Sequence, residues 1–372
     1  WVILPDGSVR SRKRAALRAG LMMNRLYDAV YDYYHKHNRT LPPDLNALVE
    51  DRILERLPRH PLAPLGYGFV YDSADGSIRI REPDAEPAAD DAPPASELAA
   101  PVPEGHVRVA AIQFCSQFGR PDVNRRRLAV WIRKAAERGA RIVALPEACI
   151  PGYADMTREV FWSRGRRDRH HRRVQRVAEA SDGPTVRFFS HLAKTLGIYL
   201  TVPIIEAAGR HYYVSVLLVD DQGRVVLHHR KQVLWDVAEG HWAAEGDLEV
   251  SVADTPYGRL GVMICRDMLA LPALLGEKNA DIVLLCAAFY GPNFEAFLRA
   301  PKFLNRVRAG GFDLVLANWS VPRKPWWQGY GMSRVISRNG KLLARIDKDL
   351  GAGMVVADLP IAEPVPAREE AP

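Results

Sequence analysis

The chain has 372 residues, of which 48% are apolar, so it is long enough to bury a substantial core without disulfide bonds. Its net charge of +7 favours acidic partners or surfaces, but no recognisable DNA- or RNA-binding motif accompanies that charge, and we expect no nucleic-acid partner. The sequence contains no run of about 18 apolar residues, so we expect no membrane span within it.

The four cysteines, Cys115, Cys149, Cys265 and Cys286, show no CxxC spacing, so a zinc site is not expected. Three of them lie within or at the ends of apolar runs, which is typical of buried free thiols. This pattern favours a reducing compartment and therefore a cytoplasmic location. The alternative is a membrane-anchored or exported protein, attached through a segment that would precede Trp1 and is not present here.

A small α+β module is predicted over residues 1–80. A helical pattern runs to about His37, a proline-led helix capped by Asp44 follows, and Asp75-Gly76 forms the turn of a hairpin. This order of elements resembles the soluble part of type II secretion pseudopilins. The alternative is a family-specific cap or dimerisation appendage, and the module carries no catalytic motif.

Residues 81–105 are rich in proline, alanine and acidic side chains, which predicts an extended linker. A large domain is predicted over 106–362, followed by a tail over 363–372. The predicted elements of the large domain are strands at 106–114, 141–147, 198–205, 212–231, 259–265, 280–289, 312–320, 332–346 and 352–360, and helices at 124–139, 184–196, 267–279 and 294–309. Buried strands that alternate with helices, together with hairpins, predict an α/β fold with two mixed sheets in a four-layer α-β-β-α sandwich.

Three predicted strands end in side chains suited to acyl-transfer chemistry. Glu147 follows an apolar run, where burial raises the pKa of a carboxylate and suits it for general-base catalysis. Lys231 ends the hairpin and can donate to an oxyanion. Cys265 precedes a predicted helix, and the helix N-terminus and a neighbouring ammonium are expected to lower its pKa. Alone, each has a plainer interpretation: a solvated loop glutamate, a surface lysine and a buried structural thiol.

These residues occur within longer motifs. The motifs are the opening strand VRVAAIQF, LPEACIPGY around Glu147, YYVSVLLVDDQGRVVLHHRKQVL leading to Lys231, TPYGRLGVMICRD around Cys265, and the closing segments VRAGGFDLVLANWS and SRVISRNGKLLAR. In this order they resemble the nitrilase superfamily of carbon–nitrogen hydrolases over most of residues 107–360.

The resemblance implies hydrolysis through an acyl-enzyme. Glu147 would act as the base and Cys265 as the nucleophile, while Lys231 and the backbone N–H of Arg266 would stabilise the oxyanion. A second glutamate would orient Lys231 or the substrate, and Glu206 is either that glutamate or an ordinary loop residue. The resemblance implies no metal or organic cofactor. It also implies that the chain forms a homodimer or a higher homo-oligomer.

The sequence Cys265-Arg266-Asp267 is closer to the amidase and carbamoyl-hydrolase pattern of the superfamily than to the Cys-Trp-Glu of nitrilases. This implies a small-molecule substrate that is an amide or an N-carbamoyl amine. Arg266 would bind the carboxylate of an anionic substrate or form a structural ion pair. Four aromatic residues follow motif ends and either line the pocket or pack in the core: Tyr153, Trp235, Tyr290 and Trp319.

Eight arginines lie between Arg158 and Arg176. They form either a solvated charged surface or a site for an anionic substrate or acidic partner. The alternatives to amide hydrolysis are nitrile hydrolysis or acyl transfer on the same fold, and a non-catalytic binding or scaffold protein.

Overall fold

The computed structural model divides into two compact units, Trp1–Ala92 and Pro93–Pro372. The residues that it describes are 2–3, 9–10, 22, 25–26, 28–30, 32–34, 36–38, 40–61, 63, 68–72, 77–81, 100–117, 119–152, 154–155, 159–160, 174–235, 239–240, 242–289, 298, 300–320, 331–347 and 350–361. Most of the predicted linker and all of the predicted tail lie outside these residues, so the boundaries at 80, 105 and 362 stay predictions.

The N-terminal unit combines helical residues with two short ladders of strands. Its elements are β1 (Val2–Ile3), β2 (Val9–Arg10), helix α1 (Ala47–Glu50), β3 (Gly68–Asp72) and β4 (Ser77–Arg81), and the described residues from 22 to 34 and residue 36 are helical. The Asp44 carboxylate accepts hydrogen bonds from the N–H groups of Asn46 and Ala47 at 2.7 and 3.2 Å, but α1 begins at Ala47 with Asn46 as its N-cap, two residues after the predicted cap. β3 and β4 pair antiparallel, as the predicted hairpin requires. The predicted turn at Asp75-Gly76 lies outside the described residues, and the pseudopilin resemblance stays a prediction.

The C-terminal unit is built on two six-stranded sheets. The strands of the first sheet are β5 (His106–Gln113), β6 (Ile142–Ala144), β9 (Tyr199–Ala208), β10 (His211–Val219), β11 (Val225–Arg230) and β18 (Gly353–Pro360). Their order is β11-β10-β9-β6-β5-β18, with β5, β6 and β9 parallel and the remaining pairs antiparallel. A short antiparallel ladder of β7 (Ala154–Asp155) and β8 (Glu159–Val160) follows β6 along the chain.

The second sheet has the same mixed character. Its strands are β12 (Val252–Thr255), β13 (Gly258–Ile264), β14 (Ile282–Ala287), β15 (Asp313–Asn318), β16 (Arg334–Ile336) and β17 (Leu342–Arg345). They lie side by side in chain order, and the three central strands β13, β14 and β15 are parallel. The parallel strands are apolar almost throughout because both of their faces are covered.

Three apolar clusters define the layers of this unit. One joins the facing sides of the two sheets and includes Val109, Val216 and Ile264. The other two lie between each sheet and its own pair of helices, which are α2 (Pro121–Glu137) and α3 (Pro184–Leu196) on the first sheet and α4 (Pro272–Glu277) and α5 (Pro301–Gly310) on the second. The predicted α/β class and α-β-β-α sandwich are therefore confirmed.

The helix predicted over 267–279 is interrupted. The chain instead forms a short 3₁₀-helix over Cys265–Leu269, and α4 begins only at Pro272. Proline lacks an N–H and has a φ angle suited to the first turn, so it starts a helix better than it continues one. Within the described residues, no helix combines the length and apolarity needed to cross a bilayer.

Candidate active site

The two sheets bring the three predicted strand-end residues together. Glu147 follows β6 in the first sheet, Lys231 directly follows β11 in that sheet, and Cys265 directly follows β13 in the second sheet. The Lys231 Nζ atom lies 2.6 Å from Oε1 of Glu147, and the Cys265 thiol interacts with the same carboxylate. The structure therefore places a carboxylate, an ammonium and a thiol in one site between the sheets.

A fourth residue, Glu239, completes this site and was not predicted. Its Oε1 lies 2.7 Å from Nζ of Lys231, so the ammonium donates to two carboxylates at once. Its Oε2 accepts the backbone N–H of Trp235 at 2.8 Å, which fixes the orientation of the carboxylate. Glu147, Lys231 and Glu239 are all essentially inaccessible to solvent.

Burial sets the protonation of Glu147. Removal from water raises its pKa to about 7; the Lys231 ammonium opposes that rise, and the Glu239 carboxylate adds to it. A smaller opposing effect comes from the Cys265 thiol, which donates to the carboxylate. Oε2 of Glu147 has no hydrogen bond of ordinary geometry within the described part of the chain. Glu147 is thus a carboxylate that can gain and lose a proton near neutral pH.

Lys231 stays charged in spite of its burial. Removal from water would lower its pKa, but the carboxylates of Glu147 and Glu239 outweigh that effect and raise the pKa above the usual value. Two of the three N–H bonds of the ammonium are directed at these carboxylates, and the third donates to no described residue. Among the described residues, one donor of this buried cation therefore has no acceptor.

Cys265 occupies an unusual backbone position. Its φ of +47° lies in the left-handed region, which non-glycine residues adopt at a cost of roughly 1–3 kcal/mol and often at functional sites. Burial raises the pKa of its thiol well above the usual value, the nearby Glu147 charge raises it further, and Lys231 and a backbone hydrogen bond from Ala288 oppose the rise. The expected lowering by a neighbouring ammonium is present, since Lys231 lowers the pKa, but burial outweighs it and the net pKa is raised, so the expectation of a thiol with a lowered pKa is wrong. The helix that was expected to follow the cysteine is a single 3₁₀ turn.

Glu206 does not contact Lys231, and that part of its predicted role is wrong. Side chains alternate between the two faces of a strand, and in β9 Ile205 belongs to the core between the sheets whereas Ile204 belongs to the core under the helices. Glu206 therefore shares the helix side with Ile204, while Lys231 faces the second sheet.

The partners of Glu206 lie on its own side of the sheet. Its carboxylate accepts hydrogen bonds from Ser215, His228 and Arg230. Burial would raise the pKa of Glu206, but these donors outweigh it and lower the pKa to about 2. Glu206 is thus an ionised structural carboxylate that ties β9, β10 and β11 together.

The structure describes three of the five residues predicted to bind substrate. Arg266 is half-buried, and its buried Nε has no hydrogen-bond partner among the described residues. Trp235 is half-buried beside Glu239, whereas Trp319 packs in the core between the sheets and donates from Nε1 to the carbonyl of Phe289. Two further candidates and most of the arginine-rich segment lie outside the described residues: Tyr153, Tyr290 and all of 158–176 except 159–160 and 174–176.

Where the structure describes the chain, no group of three or more His, Cys, Asp or Glu side chains is arranged to hold a metal ion.

Comparison with known proteins identifies the family. The model of the carbon–nitrogen hydrolase family matches residues 108–368, most of the chain, and this protein therefore belongs to that family, within the nitrilase superfamily. It is 29% identical over 232 residues to Nitrilase homolog 2 of Dictyostelium discoideum, a match that covers 58% of this chain and 65% of that protein. It is 28% identical over 279 residues to Omega-amidase NIT2-B of Xenopus laevis, covering 71% of this chain and 92% of that one.

Among solved structures, the amidase from Nesterenkonia sp. AN1 has the same fold. A glutamate-to-glutamine mutant of that amidase, with the acetamide moiety of fluoroacetamide covalently added at its active-site cysteine, superimposes with a TM-score of 0.58 at 20% identity. The match covers 70% of this chain and 94% of the amidase chain.

Proposed function

We propose that this protein hydrolyses a non-peptide C–N bond, in an amide or an N-carbamoyl amine, through an acyl-enzyme on Cys265. The observation that supports this most strongly is the buried Lys231 ammonium held between Glu147 and Glu239, with the Cys265 thiol beside Glu147. A buried charged cluster of this kind is costly unless its charges are paired, and it concentrates an acid–base group, a nucleophile and a hydrogen-bond donor at one point.

The first chemical step is attack by sulfur. The pKa of the thiol lies well above that of Glu147, so a free thiolate is a minor species in the resting site. Proton transfer from Sγ to Glu147 therefore accompanies formation of the bond between Sγ and the carbonyl carbon. The third N–H of Lys231 and the backbone N–H of Arg266 donate to the oxyanion that develops.

The second step returns the proton. The protonated Glu147 donates it to the leaving nitrogen, the C–N bond breaks, and an amine or ammonia departs from a thioester on Cys265. Glu147 then takes a proton from water, whose oxygen attacks the thioester carbon. The acid is released, and the proton returns from Glu147 to the Cys265 sulfur.

The substrate is proposed to be an amide or carbamoyl amine and not a nitrile. The Cys265-Arg266-Asp267 pattern supports this choice, whereas relatives of similar identity include both an omega-amidase and nitrilases. The buried Nε of Arg266, which lacks a described partner, supports recognition of a substrate carboxylate. A panel of neutral amides, amides that carry a second carboxylate, N-carbamoyl amines and nitriles tests this. Release of ammonia or amine from amides or carbamoyl amines is expected, and turnover of nitriles alone would refute the substrate class.

The pH dependence of kcat/KM is expected to report Glu147. Because burial raises its pKa to about 7, the group is protonated and inactive as a base below that pH, and kcat/KM should rise as pH passes through it. Lys231 keeps its charge throughout, since its pKa is raised. The measurement is a rate profile on a neutral amide from about pH 5 to 9. A profile that is flat across this range would contradict the role of Glu147.

Replacement of Glu239 with glutamine is expected to lower kcat by about 100-fold, because the amide removes one of the two charges that hold Lys231. Glu206→Gln is the matched control: it makes the same change in a buried carboxylate that does not contact Lys231, so kcat of the folded protein should stay near the wild-type value. Thermal melting first establishes that both variants are folded, and steady-state kinetics then compares their kcat values. A larger loss of kcat in Glu206→Gln than in Glu239→Gln would reverse the assignment.

A further inference from the structure

One fully buried carboxylate outside the acid–base cluster, that of Asp267, connects the segments that carry the two reacting groups. Its Oδ1 accepts the backbone N–H groups of Gln232 and Val233 at 3.0 and 2.9 Å. Its Oδ2 accepts Nε2 of His229 at 2.8 Å and the backbone N–H of Ile264 at 3.0 Å. Each oxygen thus has two donors, which matches the acceptor capacity of a carboxylate.

The donors are next to the reacting residues in the chain. Gln232 directly follows Lys231, and Ile264 directly precedes Cys265. The Asp267 carboxylate therefore bonds to the backbone beside the ammonium and to the backbone beside the thiol. The side chain of His229, which lies in β11 two residues before Lys231, supplies the fourth hydrogen bond.

These hydrogen bonds cross between the two sheets. Lys231 belongs to the edge of the first sheet, where its N–H donates to the carbonyl of Val214, whereas Cys265 ends a strand of the second sheet. The core between the sheets is largely apolar, and apolar contacts are non-directional. Hydrogen bonds have preferred distances and angles, so they can fix a separation that apolar packing leaves loose.

We propose that Asp267 is a positioning residue that sets the separation of Lys231 from Cys265 by joining the loop after β11 to the end of β13. The inference rests on the proposed function of those two residues. Asp267 touches neither the thiol nor the ammonium through any described hydrogen bond and acts through the backbone. Displacement of a reacting group by about 1 Å can cost about 100-fold in rate, which is the scale of effect expected here.

Asp267→Asn is the most direct test, because the side chain keeps its shape. The amide oxygen can still accept two of the hydrogen bonds, but the NH₂ group faces donors at the other two and cannot accept them. We expect kcat to fall about 100-fold with KM changed less than about threefold. Asp254→Asn, the same change at an exposed position of the second sheet, is the matched control and should keep wild-type kcat.

A second readout separates positioning from general loss of structure. The Lys231 charge lowers the pKa of the Cys265 thiol, so a larger separation should slow alkylation of Cys265 by iodoacetamide and move its pH profile upward. Glu147 and Glu239 are the other charged groups that act on this thiol, and both remain in the variant. Folded Asp267→Asn protein with wild-type kcat and a wild-type alkylation profile would overturn the proposal.

If Asp267→Asn does not fold, His229→Phe decides the question. This change removes the hydrogen bond to Oδ2 but leaves the three backbone donors and keeps an aromatic ring at the buried position. A loss of about tenfold in kcat and in the rate of Cys265 alkylation, with an unchanged melting temperature, is expected, and unchanged rates would overturn the proposal. If the wild-type chain hydrolyses no substrate, the proposed function fails, and the alkylation profiles alone decide the role of Asp267.

Discussion

Replacement of Cys265 with alanine is expected to abolish C–N bond hydrolysis, with kcat reduced by about 10⁴-fold or more. No other group in the described site can form the acyl-enzyme, since Glu147 and Lys231 are held in an ion pair. Folding should be little affected, because alanine fills nearly the same volume and has the same difficulty with the φ of +47° at this position. Ammonia release from an amide substrate and circular dichroism measure the two effects.

Cys115→Ala is the control for this experiment. Cys115 is also a buried cysteine outside any disulfide bond, but it follows β5 and lies neither after β13 nor after β11, the strands that end at Cys265 and Lys231. Its replacement should leave kcat within about twofold of the wild-type value while costing some stability through the cavity. Amidase activity that survives Cys265→Ala at the wild-type level would show that Cys265 is not the nucleophile.

Replacement of Lys231 with methionine is expected to have a double effect, on stability and on turnover. Methionine has a similar length but no charge, so the buried carboxylates of Glu147 and Glu239 lose their shared counter-ion. Breaking one side of a buried ion pair typically costs about 3–5 kcal/mol in the free energy of unfolding. Loss of the oxyanion donor should lower kcat by about 10²–10³-fold in the protein that remains folded.

The variant should also change the protonation of Glu147. The Lys231 ammonium holds the pKa of Glu147 down, so its removal should raise that pKa further and move any remaining activity to higher pH. Lys278→Met, at a surface ion pair with the exposed Glu249, is the matched control and should cost less than about 1 kcal/mol with kcat unchanged. Urea unfolding and a pH–rate profile give both quantities. Similar losses of stability and kcat in the two variants would mean that the buried charge cluster has no special role.

The sequence allowed much of the architecture to be predicted because its signals are local. Apolar runs marked the strands of both sheets, and the ends of three of these runs marked Glu147, Lys231 and Cys265. These residues follow strands whose ends meet, so a one-dimensional pattern was enough to bring them together. Motif resemblance then supplied the family, which the comparison confirmed.

What sequence could not predict depends on which way a side chain faces and on burial. Glu206 was chosen as the second glutamate because it ends an apolar strand, but the alternation of side chains directs it to the helix side. Glu239 lies in an irregular segment after Lys231, where a turn returns it to the ammonium. One signal could have indicated Glu239: it is an acidic residue between two tryptophans, Trp235 and Trp242, in the segment that follows Lys231. The raised pKa of Cys265 has a similar cause, since the extent of its burial is set by the packing of two sheets.

The most direct test of the central claim is mass spectrometry of the full chain, acid-quenched during turnover of a mixture of amides and then digested. We expect an acyl group of the substrate as a thioester on the peptide that contains Cys265, and its absence in Cys265→Ala. Because the thioester is an intermediate, its amount should fall when the amide is exhausted. Hydrolysis that proceeds with no acyl group on Cys265, or with the acyl group on Cys115, Cys149 or Cys286, would contradict the assignment of Cys265 as the nucleophile.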